Sequence, residues 1–459
     1  MAKPRVVHAC TECGAQSPRW LGRCPECGAW GTMVEETPAT NTADALPVTA
    51  ADAPLPLAEV DPDGAPVRPT GVGEFDRVLG GGMVAGSVTL LGGEPGVGKS
   101  TLLLQALARL ADDGARCLLV SAEESREQVR RRASRLGALP PRLLIVAETS
   151  LPRVLAHIED VEPDVVAVDS IQTIHATDAP GVPGSVSQVR HCAQTLVRVA
   201  KERAISTVLV GHVTKEGTLA GPRVLEHLVD TVLSFEGDPQ HALRMLRALK
   251  HRFGPTHELG VFEMGDDGLV DVPDASALFL ADRCPGAPGS VVVPLLEGAR
   301  PLLVEVQALV ARSGPQLPMP RRVAQGLDAG RLTMLLAVLA ERAQLSVDRA
   351  DVFASVAGGV RAADPGVDLG LVLAVASAQE RIPVPADTVA VGEVGLGGEV
   401  RQAARVGRRL AEAARLGFRC ALAPPSTKSV SGLEVVHVAN VAEAIDVATL
   451  LREARPRVA

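Results

Sequence analysis

Tyrosine is absent from this 459-residue sequence, phenylalanine occurs seven times, and the only two tryptophans, Trp20 and Trp30, lie near the N-terminus. A row of aromatic platforms for stacking single-stranded bases is therefore excluded over most of the chain. Any nucleic-acid contact must come through basic side chains, loops and backbone amides. A surplus of positive charge is missing too: the formal net charge is -8, which excludes a generally basic coat and confines any attractive surface to a local patch. Long apolar runs are lacking. The one from Thr333 to Leu339 is short and flanked by charge, well below the roughly 20 residues a spanning helix needs, so no membrane segment is predicted. The opening MAKPRVVHAC holds no apolar signal core, and a cytoplasmic chain is expected.

What is present is enough for two large domains and a small module. Residues 35–66, rich in Ala, Pro, Thr and Asp without a sustained period, read as a linker. From Val67 onward, short apolar runs (SVTLLGG, RCLLVSAEES, RLLIVAE, VVAVDS, STVLVGH) alternate with amphipathic stretches, the pattern of a mostly parallel sheet covered on both faces. A different pattern starts near Ala275. PGSVVVPLLEG and RPLLVEVQALV predict a hairpin of an α+β domain, followed by helices around 330–341, 346–357 and 366–379.

The strongest single motif runs from Gly93 through Glu94, Pro95, Gly96, Val97, Gly98 and Lys99 to Ser100 and Thr101, between an apolar strand and the helix-forming TLLLQALARL. Glycines allow positive φ, so successive N–H groups face one concavity, and the following helix adds the positive end of its dipole. Such a cradle binds the phosphates of a nucleoside triphosphate, with Lys99 on the β- and γ-phosphates and the Ser100 hydroxyl on Mg2+. VVAVDS supplies the complementary part: an apolar strand ending in Asp169, whose carboxylate can hold the water shell of the metal. RCLLVSAEES ends in Glu123 and Glu124 at the same sheet edge, and Glu123 is the candidate general base for activating water. TVLVGH ends in His212, followed by Thr214 and Lys215, which places polar groups where a γ-phosphate could be felt. The basic run Arg126, Arg130, Arg131, Arg132 and Arg135 fits an exposed helix face through its spacing to Glu127, as well as a nucleic-acid contact.

Four of the eight cysteines form two CxxC pairs, Cys10 with Cys13 and Cys24 with Cys27. The spacing suits tetrahedral thiolate binding of zinc, and four thiolates leave no open position, so the metal is expected to be structural. Residues 1–34 carry four Lys/Arg and two Glu, and the head could touch either DNA or a protein. The other four cysteines, Cys117, Cys192, Cys284 and Cys420, are scattered singly and read as packing residues.

The cysteine head, TGVGEFDRVLGGGMVAGSVTLLGGEPGVGKSTL, VSAEES, VVAVDSIQTI, GHVTKEG and KHRFG (Lys250 to Gly254) together resemble the RadA/Sms family of bacterial recombination and branch-migration ATPases. KHRFG is similar to that family's KNRFG motif, with His251 in place of the usual Asn. The resemblance implies a RecA-like P-loop fold, use of ATP, Mg2+ and Zn2+, and a hexameric homo-oligomeric ring with nucleotide between subunits. It further implies that Lys250 and Arg252 reach the neighbour's nucleotide, and that single-stranded and branched DNA and the recombinase RecA are partners. Gln172 to Ser187 and Thr214 to Arg223 fall where RecA-like proteins place DNA-facing loops, with Lys215 and Arg223 as candidate contacts.

From about residue 275 the chain resembles the proteolytic domain of Lon, whose chemistry needs a serine nucleophile and a neutral lysine. The corresponding segments read DPGVDLG (Asp364 to Gly370), with no serine, and RQAARVGRRL, with no lysine; beyond Lys250 the only lysine is Lys428. Arginine stays protonated and cannot serve as the base. Peptidase activity is expected to be absent. The expected architecture is thus α/β: a C4 zinc module at 1–34, the linker at 35–66, a RecA-like ATPase domain at 67–274 and a disarmed Lon-like α+β domain at 275–459. A DNA-dependent ATPase in recombination is the favoured reading. A nucleotide-gated DNA-binding scaffold and an ATP-dependent protease are the alternatives.

Overall fold

A computed structural model describes residues 7–10, 15–26, 28, 30–36, 56, 66–179, 181–212, 224–237, 243–256, 258–312 and 320–454. The chain divides into two compact units, Met1–Pro273 and Asp274–Ala459.

The first unit is built on a nine-stranded sheet. Six strands run parallel in the spatial order Thr231–Glu236, Val88–Gly93, Ser206–His212, Val165–Asp169, Cys117–Ser121 and Leu143–Ala147. Three antiparallel strands, Leu243–His251, Leu259–Gly265 and Gly268–Asp271, extend it at the Thr231–Glu236 side. The apolar runs seen in the sequence are continuous because both faces are covered. Leu91, Leu119, Ala167, Val210 and Phe235 enter one core together with the helix Lys99–Asp112. Their strand neighbours Leu90, Val120, Val166, Val168 and Leu209 enter the other, against Val189, Cys192 and Leu196 of the helix Val186–Glu202. Successive side chains of a strand point to opposite faces, so each central strand feeds both cores. Crossover helices return every parallel strand to the same direction, which gathers the carboxyl ends of Val88–Gly93, Cys117–Ser121, Val165–Asp169 and Ser206–His212 along one edge.

Ahead of this sheet, Gln16–Ser17, Val7–Cys10 and Met33–Glu36 form a small antiparallel sheet.

The second unit carries a mixed seven-stranded sheet in the order Arg322–Gln325, Ala350–Val356, Arg300–Arg312, Ser290–Glu297, Thr388–Ala390, Cys420–Ala423 and Glu434–His437. The predicted hairpin is present, with Glu297 paired to Arg300 across its turn. Helices occupy Ala329–Arg342 and Asp368–Glu380. The helix expected over 346–357 is instead the strand Ala350–Val356, which lies between Arg300–Arg312 and Arg322–Gln325. Its burial largely alternates, and β-branched and aromatic residues at Val352, Phe353 and Val356 suit a pleated surface whose long-range pairing outweighs local helix preference. Among the described residues no helix is long and apolar enough to cross a membrane.

Candidate nucleotide site

The strand Val88–Gly93 turns sharply and feeds the helix Lys99–Asp112 through five residues. Two glycines here are demanded by the geometry. A Cβ at Gly93 would stand 2.4 Å from the carbonyl oxygen of Phe235 on the adjacent strand. Gly98, the residue before the helix, has φ +116° and would bring a Cβ to 2.7 Å from the Met264 methyl group. Lys99 is buried, and its ammonium donates to the carbonyls of Gly93 (2.8 Å) and Glu94 (2.9 Å), so its charge is held inside the turn.

A cleft of about 310 Å³ opens here, lined by Pro95, Gly96, Gly98, Lys99, Ser100 and Thr101 on one side and by Ser121, Glu123, Glu124, Arg132 and Asp169 on the other. Asp169 ends its strand and lines the cleft together with the Ser100 hydroxyl. Burial pushes the Asp169 carboxyl above the usual carboxylate range, with the charges of Glu123 and Glu124 adding to the rise against Ser100 and Lys99. Burial likewise holds the Lys99 ammonium below the ordinary lysine value, opposed by Asp169 and Glu123. The Asp169 carboxylate and the Ser100 hydroxyl are oxygen donors of the kind a hard divalent cation takes.

The structure separates the two adjacent glutamates. Glu123 accepts a hydrogen bond from Ser170 Oγ, the residue after Asp169. Glu124 instead pairs with Arg132 of the helix Arg126–Arg135, and its backbone is tied to the Ser121 hydroxyl (2.7 Å from the Glu124 carbonyl). Ser125 caps that helix in a reciprocal box with Gln128. The cap sets the phase: Val129 and Ala133 face the core, Arg132 beside them turns into the cleft, and Arg126, Arg130, Arg131 and Arg135 are exposed. Four arginines of the basic run are thus exposed, as either reading of it requires, and Arg132 is partly buried. Its position next to the buried stripe was the available signal.

His212 ends the strand Ser206–His212 in register with Gly93, at the start of the phosphate turn. Lys215 and Arg223 lie outside the described residues. The segment 172–187 leaves the sheet at the same edge. Buried Gln188 ties it down by donating to the carbonyls of Ala176 (3.0 Å), Ala179 (2.8 Å) and Gly181 (3.2 Å), while Val182 is exposed.

Lys250 and Arg252 do not line the cleft of their own chain. Lys250 Nζ donates to the carbonyls of Glu226 and Val229, each at 2.7 Å, and Arg252 pairs with buried Asp230 at 3.2 Å. Leu249 and Phe253, on either side, are exposed. Between them the His251 ring is bonded through Nδ1 to the Thr231 hydroxyl (2.9 Å) and packs against Gly80 and Gly254, and burial holds its pKa below the usual histidine value. A neutral packed ring is what stands where the resembling motif has an amide.

In the head, Cys10 and Cys24 are buried together against Met33 and Ala15. The Gly28 N–H donates to the Cys24 carbonyl (3.0 Å) with Gly28 at φ +73°, a tight turn of the kind that presents thiolates to a metal. Cys13 and Cys27 lie outside the described residues. Trp20 donates its indole N–H to the Met33 carbonyl, and Trp30 is exposed with the Arg23 guanidinium 5.8 Å from its ring centroid.

Residues 74–218 match the family model described as an AAA domain, and residues 8–35 match the rubredoxin metal binding domain. Fold and site together define a P-loop ATPase, an ATP-hydrolysing enzyme with an N-terminal zinc ribbon. The chain is 46% identical over 455 residues to DNA repair protein RadA of Bacillus subtilis (strain 168), covering 97% of this chain and 99% of that one. It is 46% identical over 454 residues to DNA repair protein RadA of Mycolicibacterium smegmatis, with 97% of each chain covered. The protein of the same name in Streptococcus pyogenes serotype M1 is 45% identical over 452 residues, covering 97% of this chain and 99% of that one. The chain belongs to the RadA family.

A carboxyl whose folded pKa lies above its unfolded value stabilises the fold at low pH and loses that contribution as pH rises through the folded value. Asp169 is such a group. Asp169→Asn, uncharged at every pH, is expected to melt at a higher temperature than the parent at neutral pH without nucleotide, the gap closing on acidification. Calorimetry across pH checks this; a variant that melts lower at pH 7 contradicts the assigned burial of the charge.

Proposed function

We propose that this protein is a DNA-dependent ATPase acting in homologous recombination and repair, a ring-shaped motor that processes branched intermediates in the cytoplasm. The observation that carries the reading is the convergence of Lys99, Ser100, Glu123 and Asp169 on one cleft at the carboxyl edge of a parallel sheet. In this reading the turn at 93–101 binds the triphosphate, and Lys99 leaves its own carbonyls for the phosphate oxygens. Ser100 and Asp169 would hold Mg2+, which would supply charge neutralisation on the phosphates. Glu123, oriented by Ser170, takes the proton from the attacking water. Glu124 is disqualified as the base by its ion pair with Arg132.

The ring reading is supported by Lys250 and Arg252, anchored outside their own cleft beside exposed Leu249 and Phe253, where a neighbouring copy would cover them. Cations placed from the next subunit make hydrolysis depend on assembly, since they stabilise charge on the transferred phosphoryl group. A hexamer and partnership with a RecA recombinase belong to the same proposal, as do DNA contacts through Lys215 and Arg223. The four cysteines Cys10, Cys13, Cys24 and Cys27 would hold a structural zinc, which would fix the head by coordination rather than chemistry.

The second unit is read as a Lon-like domain without peptidase function. Asp364 is ion-paired with Arg409, a fully buried guanidinium that also donates to the carbonyls of Ala404 (2.8 Å) and Pro294 (2.9 Å). Asp368 is buried and bound by Arg331 and by the Val394 N–H (3.1 Å). Charges locked in pairs stand where a nucleophile and a neutral amine would be needed. ATP turnover measured with and without single-stranded DNA tests the function: stimulation by DNA is expected, and a rate indifferent to DNA overturns the motor reading.

A further inference from the structure

Resting on the ATPase reading of this cleft, we propose that Arg132 is a positioning residue for nucleotide binding, acting through Glu124 to balance the charge of the site. The cleft holds three carboxylates, Glu123, Glu124 and Asp169, against two cations, Lys99 and Arg132. One negative charge is in excess; without Arg132 the excess doubles, in a site that must accept a polyanion. Arg132 is one-quarter exposed and ion-paired to Glu124, a geometry that leaves its guanidinium in the cleft wall instead of in solvent. With Glu124 it also borders the small internal space beside Ser100, Ser121 and Asp169. Neutralised by its partner, Glu124 neither repels the γ-phosphate nor competes with Glu123 for the water. Each end of the pair is fixed separately, Arg132 by the Ser125 cap that phases its helix and Glu124 by the Ser121 hydroxyl.

The charge argument gives opposite signs for the two partners. Arg132→Ala is expected to raise KM for ATP by about tenfold or more, with a much smaller fall in kcat, the size expected for one unbalanced charge several ångströms from a polyanion in a partly buried site. Glu124→Gln alone is expected to lower KM. The double variant Arg132→Ala/Glu124→Gln is expected to return KM to within about threefold of the parent, a rescue that loss of packing would not give. Steady-state kinetics on the full chain, with melting curves for each variant, reads all three. An unchanged KM in Arg132→Ala, a double variant no better than Arg132→Ala, or a raised KM in Glu124→Gln overturns the proposal. If Arg132→Ala does not fold, the sign of the Glu124→Gln shift still decides. Turnover by the parent that is lost in Lys99→Ala, with KM unmoved in Arg132→Ala, would sink this inference and leave the ATPase reading standing; no turnover by the parent would sink the ATPase reading itself.

Discussion

Lys99→Ala is expected to reduce ATP turnover by a factor on the order of a hundred to a thousand, the loss seen when one preorganised charge donor is removed from a developing anion. The expectation follows from where the ammonium sits. It is buried in the turn on two carbonyls of the same loop, and burial weakens its hold on the proton against the partial opposition of Asp169 and Glu123. A phosphate offers stronger partners than two neutral carbonyls, so bound nucleotide is expected to draw the ammonium outward. Alanine leaves the loop carbonyls to water and the phosphates without a cation on that side. Coupled-enzyme measurement of phosphate release checks the effect, and turnover within about tenfold of the parent would mean that the chemistry is elsewhere.

Glu123→Gln is expected to lower kcat by roughly a hundred- to ten-thousandfold while nucleotide still binds, because the amide keeps the hydrogen bond with Ser170 but cannot accept a proton. Glu124→Gln should not reproduce that loss, since its partner is Arg132. Single-turnover kinetics beside equilibrium nucleotide binding separates the two steps. If DNA repair in cells persisted with Glu123→Gln, productive hydrolysis would be dispensable, and the nucleotide-gated scaffold reading would replace the motor.

The parts of the site legible in the sequence are those written in consecutive residues. A strand, a glycine turn, Lys99, Ser100 and a helix lie within one short stretch, and VVAVDS announces a strand ending in a carboxylate. Glu123 reads from the sequence as the candidate base, but the different surroundings of Glu123 and Glu124 are not written there. They come from Ser170 and Arg132, one brought in just past the end of another strand and the other from two turns along the next helix. Arg132 was hidden among five arginines because its direction depends on the helix phase set at Ser125, and only burial of Val129 and Ala133 distinguishes it. The strand Ala350–Val356 was read as helix because its pairing partners are remote in sequence, Arg300–Arg312 on one side and Arg322–Gln325 on the other. Local propensity carries no information about such partners. For Lys250 and Arg252 the sequence alone offered only a basic loop. The structure adds their anchors, Glu226, Val229 and Asp230, which give each cation a fixed place on the surface.

The most direct test is the structure of Glu123→Gln bound to ATP and Mg2+. Phosphate oxygens should lie within hydrogen-bonding distance of Lys99 Nζ, with the ammonium gone from the carbonyls of Gly93 and Glu94, and the metal between Ser100 and Asp169. Nucleotide bound at any other place on the chain, or bound here with Lys99 still on its own loop, would contradict the account.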